Sequence, residues 1–331
     1  MANWQVAYNQ YQSKVQVNYN AVGSGQGITD FQNGVNNFGE SDAPLQATDI
    51  AHLPSGSVAL TIPISASAVV PAYNLKLANG SVCQNGLNFT GTVLANIFLG
   101  TVTKWNDPSI QALQSPDVAA QLPNTSISVI HRSDGSGTMF AFTDYLSQAS
   151  TAWASGPGKS KSPAWPVGTG YKGNAGVAQG IISTDGSLGP LEIAYELQNT
   201  NSISYGTVQN ANGNYVLATV SSIQATLTAG ATSLPAGDQS WASVSIIDSV
   251  FSDHTAGIYP IVTLTYGLVY ESQSNYNTGA ALVSFLTWVN NQGQAYSANA
   301  GYAPLPQNIV TLNTATIKLI TYNGNQIQLL S

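Results

Sequence analysis

The chain has 331 residues, enough for two ordinary domains, and its 43% hydrophobic content is that of a globular protein, neither disordered nor fibrous. Only 7% of residues are charged, against roughly 25% in an average soluble domain, and 8 Lys and Arg face 15 Asp and Glu for a net charge of -7. That balance excludes non-specific nucleic-acid binding, which runs on basic side chains, and no apolar run reaches the roughly 18 residues of a spanning helix.

Met1 is followed directly by Ala2, Asn3 and Trp4, so no secretory leader is read at this end. A leader has been removed, or the numbering starts partway through a longer precursor. Trp4, Tyr8 and Tyr11 recur at helical spacing and predict a helix at the start. Val15 to Ala21 then reads as a strand, Gly23-Ser24-Gly25-Gln26-Gly27 as a tight turn, Ile28 to Asn36 as a short helix and Phe38 to Asp42 as a strand end. The apolar run Val58 to Pro71 predicts a buried strand pair. Leu87 to Leu99 is helix-like, Ser126 to His131 is a strand, and Gly135-Ser136-Gly137 opens a helix to about Ser147. This rhythm predicts an α/β fold with mainly parallel sheets.

Beyond it, Thr151 to Gly173 reads as a long ordered loop and Asn199 to Ser243 as a surface excursion. Ile258 to Tyr270 is strongly β, Gly279 to Asn290 is an amphipathic helix, and Tyr322-Asn323-Gly324-Asn325 marks a small hairpin in the tail.

The polar residues are mostly Ser, Thr, Asn, Gln and Tyr, a surface whose charge changes little in acid. The expectation is an extracellular protein suited to acidic surroundings. Three N-x-S/T sequons, at Asn79, Asn88 and Asn124, would make it a cell-surface glycoprotein. The lone Cys83 excludes an internal disulfide framework and multi-cysteine metal sites, and reads as a small buried hydrophobe.

Two glycine-rich turns lie between a predicted strand and a predicted helix, where backbone N–H groups can face an anion. They are Gly23-Ser24-Gly25 and Asp134-Gly135-Ser136-Gly137-Thr138. The hydroxyls of Ser24, Ser136 and Thr138 add donors, and Arg132, the only arginine, precedes the second turn. Each turn alone also fits a plain loop. Asp42 reads two ways. It is a cap or Asx-turn residue before Pro44, or an acceptor for an anion that carries its own proton, which phosphate does and sulfate does not.

No triad spacing joins His52, His131 or His254 to a nucleophile, and no two histidines stand at metal-ligand spacing. Gly156-Pro157-Gly158-Lys159-Ser160 resembles the end of a Walker A loop, but Trp153 takes the place of its first glycine. His131 is expected as a packed or rim residue, and Trp105 and Trp165 as core anchors or cleft walls.

Several segments together resemble one family. Asn18-Tyr19, Gly23-Ser24-Gly25, Phe38-Gly39-Glu40-Ser41-Asp42-Ala43-Pro44, Leu99 to Trp105 and Arg132-Ser133-Asp134-Gly135-Ser136-Gly137-Thr138 are similar to segments of periplasmic phosphate-binding proteins. So are Lys172 to Val177, Gly186 to Gly189 with Glu192 to Tyr195 behind, and Gly301 to Pro306. These matches run in order from Asn18 to Pro306. The family is the substrate-binding component of the phosphate ABC transporter.

The resemblance implies a two-lobed periplasmic-binding-protein fold (type II-like), each lobe an α/β sandwich. Residues 1–74 with 258–331 would form lobe I and 75–257 lobe II, with crossings near Pro71 to Leu75 and Gly257 to Pro260. The phosphate ligands would be Ser24 and Asp42 from one lobe and Arg132, Ser136, the Gly137 N–H and Thr138 from the other, clamped on hinge closure. Gly23, Gly25 and Gly135 would support the turns, and Asp134 would hold Arg132. No enzyme activity, cofactor or metal is implied. The partners would be inorganic phosphate and the membrane permease of the importer.

The family also begins with a strand and a Thr-Phe-Pro turn that this sequence lacks. The chain is then a fragment, a processed chain, or one that receives a strand from another subunit. In the last case the apolar tail from Ile317 to Leu330 could be the donated β partner. Otherwise it is a local hairpin closing the first lobe. The alternative function is a surface structural or filament-forming protein on the same scaffold, with phosphate binding weakened or lost.

Overall fold

The computed structural model describes residues 1–330. In chain order the elements that matter are α1 (Ala2–Tyr11), α2 (Ser24–Gln32), β1 (Gly39–Ser41), β2 (Ala59–Asn74), α3 (Gly91–Phe98), β3 (Ser128–Arg132) and α4 (Gly137–Ala149). They continue with β4 (Thr169–Tyr171), α5 (Gly173–Ser183), β5 (Ser187–Glu192), α6 (Ile193–Leu197), β6 (Ser204–Tyr205) and α7 (Val220–Gly230). The last are β7 (Val262–Tyr270), α8 (Tyr276–Asn290), α9 (Gln307–Ile317), β8 (Thr321–Tyr322) and β9 (Asn325–Gln326). Two compact units result: Met1–Ala66, Ala231–Val244 and the chain from Leu264 onward form the first, and Ser67–Gly230 with Ser245–Thr263 the second.

In the first unit β1 pairs antiparallel with β7, Gly39 opposite Leu268 and Ser41 opposite Tyr266. The core gathers Trp4 and Tyr8 of α1, Leu60, Ile62 and Ile64 of β2, and Phe285, Leu286 and Trp288 of α8. The aromatic spacing at the start of the chain therefore does form a helix with one buried stripe. Its Trp4 indole donates to Gly293 O at 2.7 Å, and Tyr8 meets Phe285 edge-on at 5.0 Å.

Val15 to Ala21 is not a strand. The Asn9 side chain does what a neighbouring strand would, accepting from the Val17 N–H at 2.9 Å and donating to its carbonyl at 3.4 Å. The tail is a local hairpin: β8 pairs with β9 through Asn323 (φ 50) and Gly324 (φ 74), the two positive φ values that a type I′ turn needs. Ile327 lies in the core of this unit, and the Leu330 N–H donates to Ser284 Oγ at 2.8 Å.

Backbone groups of β2 also find partners from other segments of this unit. The Thr61 N–H donates to Gly237 O at 2.8 Å, and the amides of Asn313 and Gln294 donate to the carbonyls of Pro63 and Ile64 at 2.6 and 3.0 Å. Pro63 has no N–H to offer a further strand.

In the second unit, the end of β2 runs antiparallel to β5, Val69 opposite Glu192 and Asn74 opposite Ser187. β3 lies parallel to both β5 and β4, with Ser128 opposite Ser187 and Arg132 opposite Tyr171. Helix α4 packs on α3 through the edge-on rings of Phe98 and Phe142, 4.9 Å apart. The sheets are therefore mixed, not mainly parallel. The expected strand pair at Val58 to Pro71 is one continuous 16-residue strand.

Other expectations change as well. Thr151 to Gly173 holds a short helix, Thr151–Ser155, besides β4. Asn199 to Ser243 is no surface excursion: β6 pairs with β2 at Ala72 and Tyr73, α7 buries Ile223 and Leu227, and Trp241 is fully buried. The expected crossing at Pro71 to Leu75 already lies within the second unit, because Pro71 and Ala72 are paired with β5 and Ala72 also with β6. Gly257 to Pro260 lies there too, tied by the Tyr259 hydroxyl to Val69 O at 2.8 Å. The units change over at Ala66/Ser67 and Thr263/Leu264, and Ala231–Val244 returns to the first. Cys83 is buried, as its type suggests, and burial pushes its thiol up to about 11.

Candidate functional site

In the first unit, two of the expected residues meet. Gly23 takes φ 85, which only glycine adopts without strain, and this lets the chain turn directly into α2. Ser24 therefore stands in the first turn of the helix, buried, where its hydroxyl accepts the Asp42 N–H at 3.1 Å. Asp42 follows β1, and its Oδ1 accepts from the Thr265 hydroxyl of β7 at 2.8 Å. The contact between α2 and β1 is as close as backbones allow: a Cβ on Gly27 would lie 2.6 Å from Glu40 O. Neighbouring Glu40 is buried, and that burial raises its carboxyl. The Asp42 charge adds to the shift, and a Tyr19 hydrogen bond opposes it.

In the second unit the expected residues form a denser cluster. Arg132 ends β3 and is buried. Its Nε and Nη2 donate to the two oxygens of Asp134 at 2.7 and 2.6 Å, a bidentate fork of the strong type. Asp134 also accepts the Gly173 N–H at 3.0 Å. Burial alone would raise the Asp134 carboxyl, but the Arg132 hydrogen bonds, the Gly173 N–H and the arginine charge together hold it below the usual range.

Ser136 caps α4, its Oγ accepting the Met139 N–H at 3.3 Å, and Gly137 and Thr138 form the first turn. First-turn N–H groups of a helix lack intrahelical partners and carry the positive end of the helix dipole. A buried guanidinium, two buried hydroxyls and these N–H groups are donors of the kind that suit an oxyanion. Unlike Gly23, neither Gly25 nor Gly135 needs a positive φ.

Two residues of this cluster were not singled out as site residues in the sequence. Asn174 Oδ1 accepts from Arg132 Nη1 at 2.8 Å and from Thr138 Oγ1 at 3.4 Å, and its Nδ2 donates to Glu192 Oε2 at 2.9 Å. The only signal for either was its place within a family-like segment. The remaining candidates are packed. Lys159 pairs with Asp144 at 2.7 Å, His131 stacks on Trp165 at 4.7 Å, and Trp105 is fully buried with its indole on Gly186 O. Trp105 is therefore an anchor and not a cleft wall. Among the described residues no cluster of His, Cys, Asp and Glu is arranged to hold a metal ion, and no helix is long and apolar enough to cross a membrane.

A family model described as a PBP superfamily domain matches residues 1–292. Over 311 residues, 94% of this chain and 79% of the other, the sequence is 34% identical to "Phosphate-binding protein PstS" of Xylella fastidiosa. The chain belongs to the PstS-like phosphate-binding proteins.

The PstS-like chain is also 30% identical over 328 residues to the protein of that name from Methanocaldococcus jannaschii, covering 96% of this chain and 82% of the relative. It is 36% identical over 293 residues to "Phosphate-binding protein PstS3" of Mycobacterium bovis, at 88% and 75% coverage. Among solved structures, a high-affinity periplasmic phosphate-binding protein (PfluDING) bound with phosphate superposes with a TM-score of 0.68 at 18% identity, over 95% of this chain and 94% of that one. An ancestral soluble variant of the human phosphate-binding protein gives 0.69 at 17%, with the same coverage. These likenesses establish the two-lobed α/β fold. The PstS-like family is one of binding proteins, not enzymes.

Proposed function

We propose that this chain binds inorganic phosphate outside the cytoplasm and delivers it to the membrane permease of an ABC importer. The observation that carries the reading is Arg132, the single arginine. It is buried, held by three hydrogen bonds, and shares the Asn174 Oδ1 acceptor with Thr138 of the first turn of α4. On this reading Arg132, Ser136, the Gly137 N–H, Thr138, Ser24 and Asp42 are the phosphate ligands. Asp42, an acceptor, favours an anion that retains a proton, so phosphate is selected over sulfate.

Calorimetric titration of the full chain with phosphate and with sulfate, at neutral pH and in acid, tests this. Tight phosphate binding with sulfate ignored is the expected result. A folded protein that binds neither anion overturns it.

Asn79 and Asn124 are exposed and suit glycans, whereas the Asn88 amide is committed to Leu113 O at 2.8 Å and to the Thr207 hydroxyl at 2.7 Å. A filament built by strand donation has nothing comparable behind it, since the tail is engaged in its own unit.

A further inference from the structure

Three strands of the second unit end side by side. β3 ends at Arg132, β4 at Tyr171 and β5 at Glu192, with β3 parallel to both neighbours. Carboxyl ends of parallel strands are where α/β sheets place their ligand groups. Just past β4 the chain turns at Gly173, φ +72, and Asn174 enters the first turn of α5. Its side chain is thereby set between the residues that end the other two strands.

The Asn174 amide has one workable orientation. Oδ1 faces two donors, Arg132 Nη1 and the Thr138 hydroxyl, while Nδ2 faces the Glu192 carboxylate at 2.9 Å. Turned over, the amide would set N–H against N–H and oxygen against carboxylate. Glu192 is itself buried.

A guanidinium has five N–H bonds. Asp134 takes one from Nε and one from Nη2, and Asn174 takes one from Nη1, which leaves one N–H on each terminal nitrogen. The Asp134 fork holds only one edge of the plane. A second hold at Nη1 stops the group from pivoting about that edge.

We propose that Asn174 is a positioning residue that aims Arg132 and Thr138, and that Glu192 sets which end of its amide faces them. This deepens, and for its binding consequence rests on, the phosphate reading. Holding the guanidinium before the anion arrives removes an ordering cost that binding would otherwise meet. The carboxylate of Glu192 acts through Asn174 and does not touch the anion.

Because the chain has a single arginine, the test has a ligand-free arm. The guanidinium ¹⁵N–¹H spectrum of the labelled full chain gives one unambiguous set of signals. Slow, resolved Nη signals are expected for the native protein, and averaged ones for Asn174→Ala. Phosphate titration is the second arm. Asn174→Ala and Glu192→Leu should each weaken phosphate by about tenfold, while Glu192→Gln, which keeps an acceptor for Nδ2, should recover most of that loss.

Native-like Nη signals in Asn174→Ala overturn the inference, and so does unchanged phosphate affinity. Equal losses for Glu192→Leu and Glu192→Gln overturn the orienting role of Glu192. If Asn174→Ala does not fold, Asn174→Ser gives the same two readouts. If the native chain ignores phosphate, the phosphate reading fails, and the guanidinium spectrum still decides the positioning of Arg132.

Discussion

Thr265 donates a 2.8 Å hydrogen bond to Oδ1 of Asp42 because the β1–β7 register, Ser41 opposite Tyr266, brings the next residue of β1 against the previous residue of β7. A one-residue slip would turn Thr265 to the other face of its strand. The pairing therefore holds in place an acid whose partner in β7 no local sequence pattern shows.

Replacing Thr265 with valine keeps the shape and removes the donor. A hydrogen bond to a charged group is worth about 1.5–3 kcal/mol, so Thr265→Val should lower phosphate affinity by at least about tenfold. Thr265→Ser, which keeps a hydroxyl, should lose less. Titration of both variants settles the matter, and native affinity in Thr265→Val would remove Thr265 from the site.

Asp42→Asn substitutes a group that can donate as well as accept. Phosphate should bind more weakly and sulfate should begin to compete. Paired titrations with the two anions check this, and continued exclusion of sulfate would show that selectivity lies elsewhere. Arg132→Ala should abolish detectable phosphate binding with the far-ultraviolet circular dichroism unchanged.

Gly27→Ala drives a methyl group to within 2.6 Å of the Glu40 carbonyl, a backbone atom that cannot step aside. Helix α2 must move off β1, at a cost of about 1–3 kcal/mol, and Ser24 and Asp42 part with it. A lower Tm and weaker phosphate binding should appear together. Gly176→Ala in α5 is the contrast, since its nearest neighbour, Tyr171 Cβ, is at an ordinary 3.4 Å. There a gain of about 0.5–1 kcal/mol is expected from helix propensity.

Glu196 of α6 is fully buried, and the Asn85 side chain is the hydrogen-bonding group near its carboxyl. Burial pushes the carboxyl from 4.5 up to about 7, with Asn85 opposing the shift. Between those values the folded chain holds a proton that the unfolded chain has released. The stability from this group is thus fully present below pH about 4.5 and is lost as pH rises through about 7, by roughly 3 kcal/mol. Denaturant unfolding from pH 5 to 8 should show that decline in the native chain, and Glu196→Gln should flatten it. An unchanged slope in the variant would assign the pH dependence to other groups.

Helices and turns were legible because their signals are local. The Trp4, Tyr8 and Tyr11 spacing, the Asn323-Gly324 turn and the helix opened at Gly135-Ser136-Gly137 each depend on a few adjacent residues, and the glycine-rich turns with Arg132 marked most of the candidate site. Strand identity was less legible. Val15 to Ala21 has the alternation of a strand, yet the side chain that meets Val17 is Asn9, which no periodicity reveals.

By itself, the sequence determined the chemistry on offer: few charges, one arginine, and hydroxyls and glycines at two helix starts, because composition and local turn geometry are properties of neighbouring residues. Only the tertiary structure decided how those groups are held. Thr265 reaches Asp42 across 223 positions, and Asn174 joins Arg132 across 42 and Glu192 across 18. Such contacts are set by strand order and register, which arise when distant segments bury their apolar faces together, and no short stretch of sequence encodes them.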